Sequence, residues 1–202
     1  MIYNITKINI FSINNYYLIY VNNNMIIFWN NFVKKYVSIK SEILKEANKN
    51  MKKLFGKSSN ILGVKIRGTD YLSIRPKGHS ISPKTEIVIS DVKSMDQQYK
   101  YDFIFLSTED EIIKKKLFPQ FGNKLKLLNP DIIVEYDYNK KDMINLNEKI
   151  YGNLNYIKNY ILNIIILSKC LDIIISRCNG AAAIFKFSNG FRNCKIYNLG
   201  YY

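Results

Sequence analysis

Histidine is nearly missing from this sequence, which has one, and cysteine is scarce, with three. Cys170, Cys178 and Cys194 cannot build a disulfide framework, and with His79 as the sole imidazole they match no zinc-ligand spacing. No metal site is expected, and a reducing compartment, the cytoplasm, suits such a chain. No stretch reaches the ~18 uninterrupted apolar residues of a membrane span, so a soluble chain is expected. Met1 to Tyr20 is apolar in patches, but asparagines interrupt it, and it has neither a basic leader nor a small-residue cleavage site; no export signal is expected. G-x-G-x-x-G and P-loop patterns are missing from every strand–helix junction, which removes dinucleotide redox chemistry and ATPase activity. Without a G-x-S-x-G elbow the common hydrolase reading falls too. There is no internal repeat and no low-complexity linker.

Arginine is the informative cation. Of 30 Lys plus Arg only Arg67, Arg75, Arg177 and Arg192 are arginines, against 16 Asp plus Glu and a formal charge of +14. That balance favours an anionic partner: a nucleotide, a nucleic acid or an acidic lipid surface. The lysine pairs and triplets, such as Lys34-Lys35 and Lys114 to Lys116, read as solvated faces. No helix carries a continuous basic stripe interleaved with exposed aromatics, so nucleic acid is not the expected partner.

With 48% hydrophobic residues in 202, the chain can fill one core. Residues through about Trp29 read as irregular or strand-like pieces. From Trp29 to Phe55 apolar residues recur at three- and four-residue steps, which predicts one long amphipathic helix ending near Gly56. Ile61 to Ile66 reads as a buried strand. Asp70 to Pro83 is a loop, and Ser82-Pro83 an N-cap and first turn opening a helix to about Gln97. Asp102 to Ser107 is a second strand, and Thr108 to Glu111 a capping box for a helix that Pro119 and Gly122 end. Leu125 to Leu128 is a third strand. A helical face at Leu154 to Ser168, a strand at Asp172 to Ser176, a short helix from Asn179 and a strand at Lys195 to Leu199 follow. Strands alternating with helices specify an α/β fold with a doubly wound, mostly parallel, Rossmann-like sheet. The predicted organisation is a segment 1–28, irregular or left over from another half, and a nucleotide-binding unit 29–202.

Ligands of such sheets bind beyond the carboxyl ends of the strands. Arg67-Gly68-Thr69-Asp70, Ser107-Thr108-Glu109-Asp110 and Ser176-Arg177-Cys178-Asn179-Gly180 fall there. A guanidinium binds phosphate oxygens bidentately and keeps its charge, so Arg67 and Arg177 point to phosphate. The alternatives are ion pairs: Arg67 with Asp70 or Asp110, Arg177 with a surface carboxylate. The small residues at Asn179 to Ala183 suit either a diphosphate approaching backbone N–H groups or tight helix–sheet packing. His79 is a general base or a structural loop histidine, and Asp70 a competing base or the partner that orients Arg67. Glu135 and Asp137 resemble a metal–diphosphate carboxylate pair but read better as loop charges.

Five blocks in order, Leu62 to Tyr71, Arg75 to His79, Phe105 to Asp110, Leu167 to Cys170 and Asn198 to Tyr201, resemble bacterial GT-B glycosyltransferases related to the fucosyltransferases. The resemblance runs from about Trp29 to the C-terminus. It implies the C-terminal, donor-binding half of a GT-B fold, without a required metal or cofactor. The donor would be a GDP-sugar, GDP-fucose foremost, and the acceptor a surface glycan. It also implies that Arg67 contacts the diphosphate, that Ser107 to Asp110 lie against the nucleotide and that Ser176 to Ala181 sit at the phosphates. Family members have an acceptor-binding half ahead of the long helix, so a separately encoded half is expected, and a basic enzyme of this kind is expected to work against the inner face of the membrane. Cys178 departs from the Gly- or Ser-rich family pattern at its turn.

Overall fold

The computed structural model describes residues 2–4, 23–68, 75, 77–128 and 154–202. Its centre is β2 (Ile61–Lys65), buried at all five positions, as a strand with both faces covered must be. β2 pairs in parallel with β3 (Phe103–Ser107), Leu62 opposite Ile104, and on its other side with β5 (Asp172–Ser176), Leu62 opposite Asp172. β4 (Leu125–Lys126) extends the sheet beyond β3, and β6 (Asn193–Tyr197) lies beyond β5, both parallel. β1 (Ile2–Asn4), in the segment the sequence left unplaced, adds an antiparallel edge to β6. The strand order is β1-β6-β5-β2-β3-β4. The chain therefore builds outward from β2 to β4, returns, and builds outward the other way from β5, which is the doubly wound arrangement.

Strand alternation sorts the core. Even positions of β2, Leu62 and Val64, pack with Val88, Val92 and Met95 of α3 (Thr85–Tyr99) and with Ile113 and Leu117 of α4 (Glu111–Phe121). On the opposite face Ile61 and Phe105 meet Ile166 and Leu167 of α5 (Leu154–Leu167) and Ala181 and Ile184 of α6 (Asn179–Phe187). Two further helices cover this second layer. α1 (Asn23–Tyr36) hydrogen-bonds to the end of α6 through Asn30 Nδ2 on the Ser188 carbonyl at 2.6 Å. α2 (Ser41–Phe55) buries Ala47 against Leu162 and Ile165 of α5.

Several boundaries differ from the sequence reading. The single helix over Trp29–Phe55 is two: α1 makes its last bond from Val37 N–H to Val33 O at 2.8 Å, and α2 restarts with Ile43 N–H on Lys40 O at 3.0 Å. Val37 and Ile39, β-branched and separated only by Ser38, have low helix propensity and break the run. α3 begins at Thr85, with Lys84 rather than Ser82 at its N-cap. Pro83 keeps the residue before it extended, and Ile81 N–H is engaged by Gly200 O at 3.0 Å. The α4 cap is Asp110, not Thr108: its Oδ1 accepts from Ile112 N–H at 2.9 Å, while Thr108 Oγ1 accepts from Asp110 N–H at 3.2 Å. α4 also runs through Pro119 and ends at Gly122, whose φ of 49° is a left-handed value glycine tolerates.

The amino edge of the sheet is tied by Asp172, which is fully buried and accepts from Tyr101 Oη, from the Asn193 N–H at 2.7 Å and from Arg192 Nε at 3.2 Å. Arg192 lies over Tyr99 at 4.7 Å. One of the few arginines thus belongs to the scaffold, at the end remote from any carboxyl-edge site. Among the described residues no helix is long and apolar enough to cross a membrane.

Candidate functional site

The strand order reverses between β2 and β5, and in doubly wound sheets the carboxyl edge at such a switch point is where ligands bind. Arg67 stands just past β2 and Arg177 just past β5, so the topology brings both arginines to this switch point. Lys65, the last residue of β2, joins them. Its side chain turns toward α5, where the ammonium sits 5.0 Å from the centre of the Tyr160 ring, and only 4% of the residue is exposed. Burial works to lower its pKa, but Glu109, with Tyr160 and Cys178, outweighs burial and the nearby Arg67, leaving the amine above its ordinary value. Lys65 is therefore a fixed cation. Burial pushes the Tyr160 phenol up, and both Lys65 and Arg67 lie close enough to oppose that rise.

Lys65, Ser107, Thr108 and Glu109 from the strand ends, with Tyr156 and Tyr160 from α5, line a small cleft that opens to solvent. Here Lys65 feels both the carboxylate of Glu109 and the guanidinium of Arg67. The amino end of α6 closes on the same place. Its N-cap, Cys178, offers no side-chain hydrogen bond, so no side chain of the cap satisfies the first-turn N–H groups. Gly180 in that first turn admits two neighbours: a Cβ there would stand 2.5 Å from Tyr160 Oη and 2.9 Å from Lys65 Cε. Packing thus accounts for this glycine, and the packing it permits sets Lys65 beside the helix terminus.

The remaining sequence-selected residues divide. Ser107, Thr108 and Glu109 line the cleft. Asp110 is fully buried, caps α4 and presses on Gly68, where a Cβ would collide with its carboxylate. Ser176 turns to the α3–α4 face with its buried hydroxyl unbonded among the described residues. Asn179 is exposed at the start of α6. Arg177 is 5% exposed, donates from Nη1 to Asn198 Oδ1 at 3.1 Å and has its guanidinium 4.8 Å from the Tyr201 ring centre. His79 is half-buried, and its carbonyl accepts from Tyr202 N–H at 3.0 Å. Asp70 lies outside the described residues, as do Glu135 and Asp137.

Sequence reasoning overlooked Lys65 and Tyr160. Lys65 had a signal: it is the one charged residue within the apolar run from Ile61 to Ile66. Tyr160 had none beyond its place on a helical face.

No family model and no curated protein sequence matches the chain. Solved structures do match, and they define a fucosyltransferase-like, Rossmann-like α/β fold. POFUT1 in complex with GDP-fucose overlaps with a TM-score of 0.52 at 13% identity, over 84% of this chain and 49% of that one. The apo-form of POFUT1 gives 0.53 at 12% identity over the same shares, 84% and 49%. The fucosyltransferase NodZ from Bradyrhizobium, at 0.48 and 13% over 77% and 44%, overlaps more loosely. The chain spans about half the length of the structures it matches.

Proposed function

We propose that this chain is the donor-binding half of a nucleotide-sugar transferase that takes a GDP-sugar, GDP-fucose foremost, and passes the sugar to a surface-glycan acceptor. The reading rests above all on two of its four arginines directly following the two strands that flank the switch point of the sheet, with a cleft at Lys65 and a helix terminus that has no side-chain cap on the same edge. A likeness in fold to POFUT1, which was crystallised with GDP-fucose, supports it.

In the proposed reaction an acceptor hydroxyl attacks the anomeric carbon, the bond to the β-phosphate oxygen breaks, and negative charge collects on the departing diphosphate. Arg67 grips the phosphate oxygens. Lys65 and Arg177 add fixed positive charge, and the N–H groups at the start of α6 add a preorganised dipole, the kind of assistance worth a few kcal/mol, about 3, per lost donor in other enzymes. Ser107, Thr108 and Glu109 lie along the nucleoside. The hydroxyl proton passes to a base, for which Asp70, His79 and a residue on the acceptor side are the candidates. Residues 29–202 form the donor-binding unit, the acceptor site lies on a second half, encoded separately or on a longer chain, and the +14 charge suits work at an anionic membrane face on the cytoplasmic side.

Calorimetry with GDP and GDP-fucose, followed by assays for donor hydrolysis and for transfer, tests this. Binding of both ligands with release of fucose supports a transferase. Binding without turnover defines a nucleotide-binding unit that transfers nothing by itself. No binding of either ligand refutes the proposal.

A further inference from the structure

The five C-terminal residues cross the carboxyl edge and are hydrogen-bonded to the loop ahead of α3. Gly78 N–H donates to Tyr202 O at 3.1 Å, Tyr202 N–H to His79 O at 3.0 Å and Ile81 N–H to Gly200 O at 3.0 Å, with Ser80 and Tyr201 in an antiparallel bridge. From this strap two side chains hold Arg177. The Tyr201 ring lies 4.8 Å from the guanidinium carbon, and Asn198 Oδ1 accepts from Nη1 at 3.1 Å. A flexible arginine loses several rotors when a phosphate captures it, and a face stacked on an aromatic ring removes that cost beforehand.

We infer that the strap is a positioning device: Tyr201, helped by Asn198, fixes the Arg177 guanidinium for an anionic ligand and links it to the loop that carries His79. This deepens the donor-site reading and rests on it. The position of the strap gives it a second property. Because it bonds to the loop ahead of α3 and clasps the arginine after β5, it ties the two sides of the switch point together at the carboxyl edge.

The experiment is a double-mutant cycle on the full chain, read by calorimetry with GDP. Tyr201→Ala is expected to weaken GDP about threefold, the loss typical of a cation–π partner whose ring is partly open to solvent. Tyr201→Phe, which keeps the ring, is expected to restore most of that loss. Combining Tyr201→Ala with Arg177→Ala is expected to cost no more than Arg177→Ala by itself, because a positioning residue has nothing left to position. Asn198→Ala removes an exposed side chain that the fold does not need, and is expected to weaken GDP about threefold through the lost hydrogen bond. Additive losses in the double variant, or unchanged affinity in both Tyr201→Ala and Asn198→Ala, overturn the inference. If Arg177→Ala itself leaves GDP affinity unchanged, the strap has no role in binding. Loss of binding in Arg67→Ala under the same conditions would then show that the donor site stands without it.

Discussion

Gly68 and Lys65 make opposite demands at the carboxyl end of β2. At Gly68 any Cβ would strike the Asp110 carboxylate, a side chain already held by the first turn of α4. Gly68→Ala is therefore expected to destabilise the fold by about 1–3 kcal/mol, the usual range for overpacking, as urea unfolding would register. Lys65 is a buried cation whose charge Glu109 supports strongly enough to outweigh burial, so an apolar replacement leaves that carboxylate without its counter-charge. Lys65→Met is expected to lower the melting temperature and to weaken GDP about tenfold. A variant that binds as before would remove Lys65 from the site. The sequence made Arg67 and Arg177 legible because arginine is rare here and both follow strands. Lys65 was hidden by the abundance of lysine, since only the register of β2 shows that its side chain faces α5 rather than solvent.

Among the elements, α4 and β5 carry the clearest expectations. Asp110 caps α4 with bonds to two backbone N–H groups, so Asp110→Ala is expected to cost about 1–2 kcal/mol, measurable by urea unfolding. If the cap were Thr108, as the T-E-D-E spacing suggests, Thr108→Ala would be the costlier change. Asp172 at the start of β5 holds Tyr101, Arg192 and Asn193 with no exposure of its own. Asp172→Ala strands the buried phenol and one face of the guanidinium, and is expected to cost about 3–5 kcal/mol. The strands were legible as elements because apolar runs bounded by turn residues leave few alternatives. Their pairing was not, since neither the antiparallel β1 nor the order around β2 follows from a local pattern. The helix boundaries failed where two signals competed: the periodicity of Phe32 to Ile43 against the β-branched pair at 37 and 39, and Thr108 against Asp110 as the cap.

For the molecule as a whole, several buried acids respond to pH in one direction. Burial raises the Cys170 and Cys194 thiols above the ordinary 9.0. Burial, reinforced by Asp172 and by Asp91, raises Tyr101 and Tyr197 above the ordinary 10.0. Each group binds its proton more tightly folded than unfolded, so the stability it contributes is complete below its unfolded value and is lost as pH climbs toward the folded one. Urea midpoints are accordingly expected to hold from neutrality to about pH 9 and to fall steadily above it. A midpoint that rises or stays level up to pH 11 would contradict the buried, protonated state of these groups.

The site unites both layers and both halves of the winding, so the decisive question concerns the whole carboxyl edge: whether a guanidinium fixed there grips a diphosphate. Titration of GDP into the wild type, Arg67→Ala and Arg67→Lys answers it most directly. Lysine keeps the charge but not the planar fork. GDP is expected to bind the wild type, to lose about a hundredfold in affinity with alanine and to recover little with lysine. Equal GDP affinity in all three proteins would contradict this.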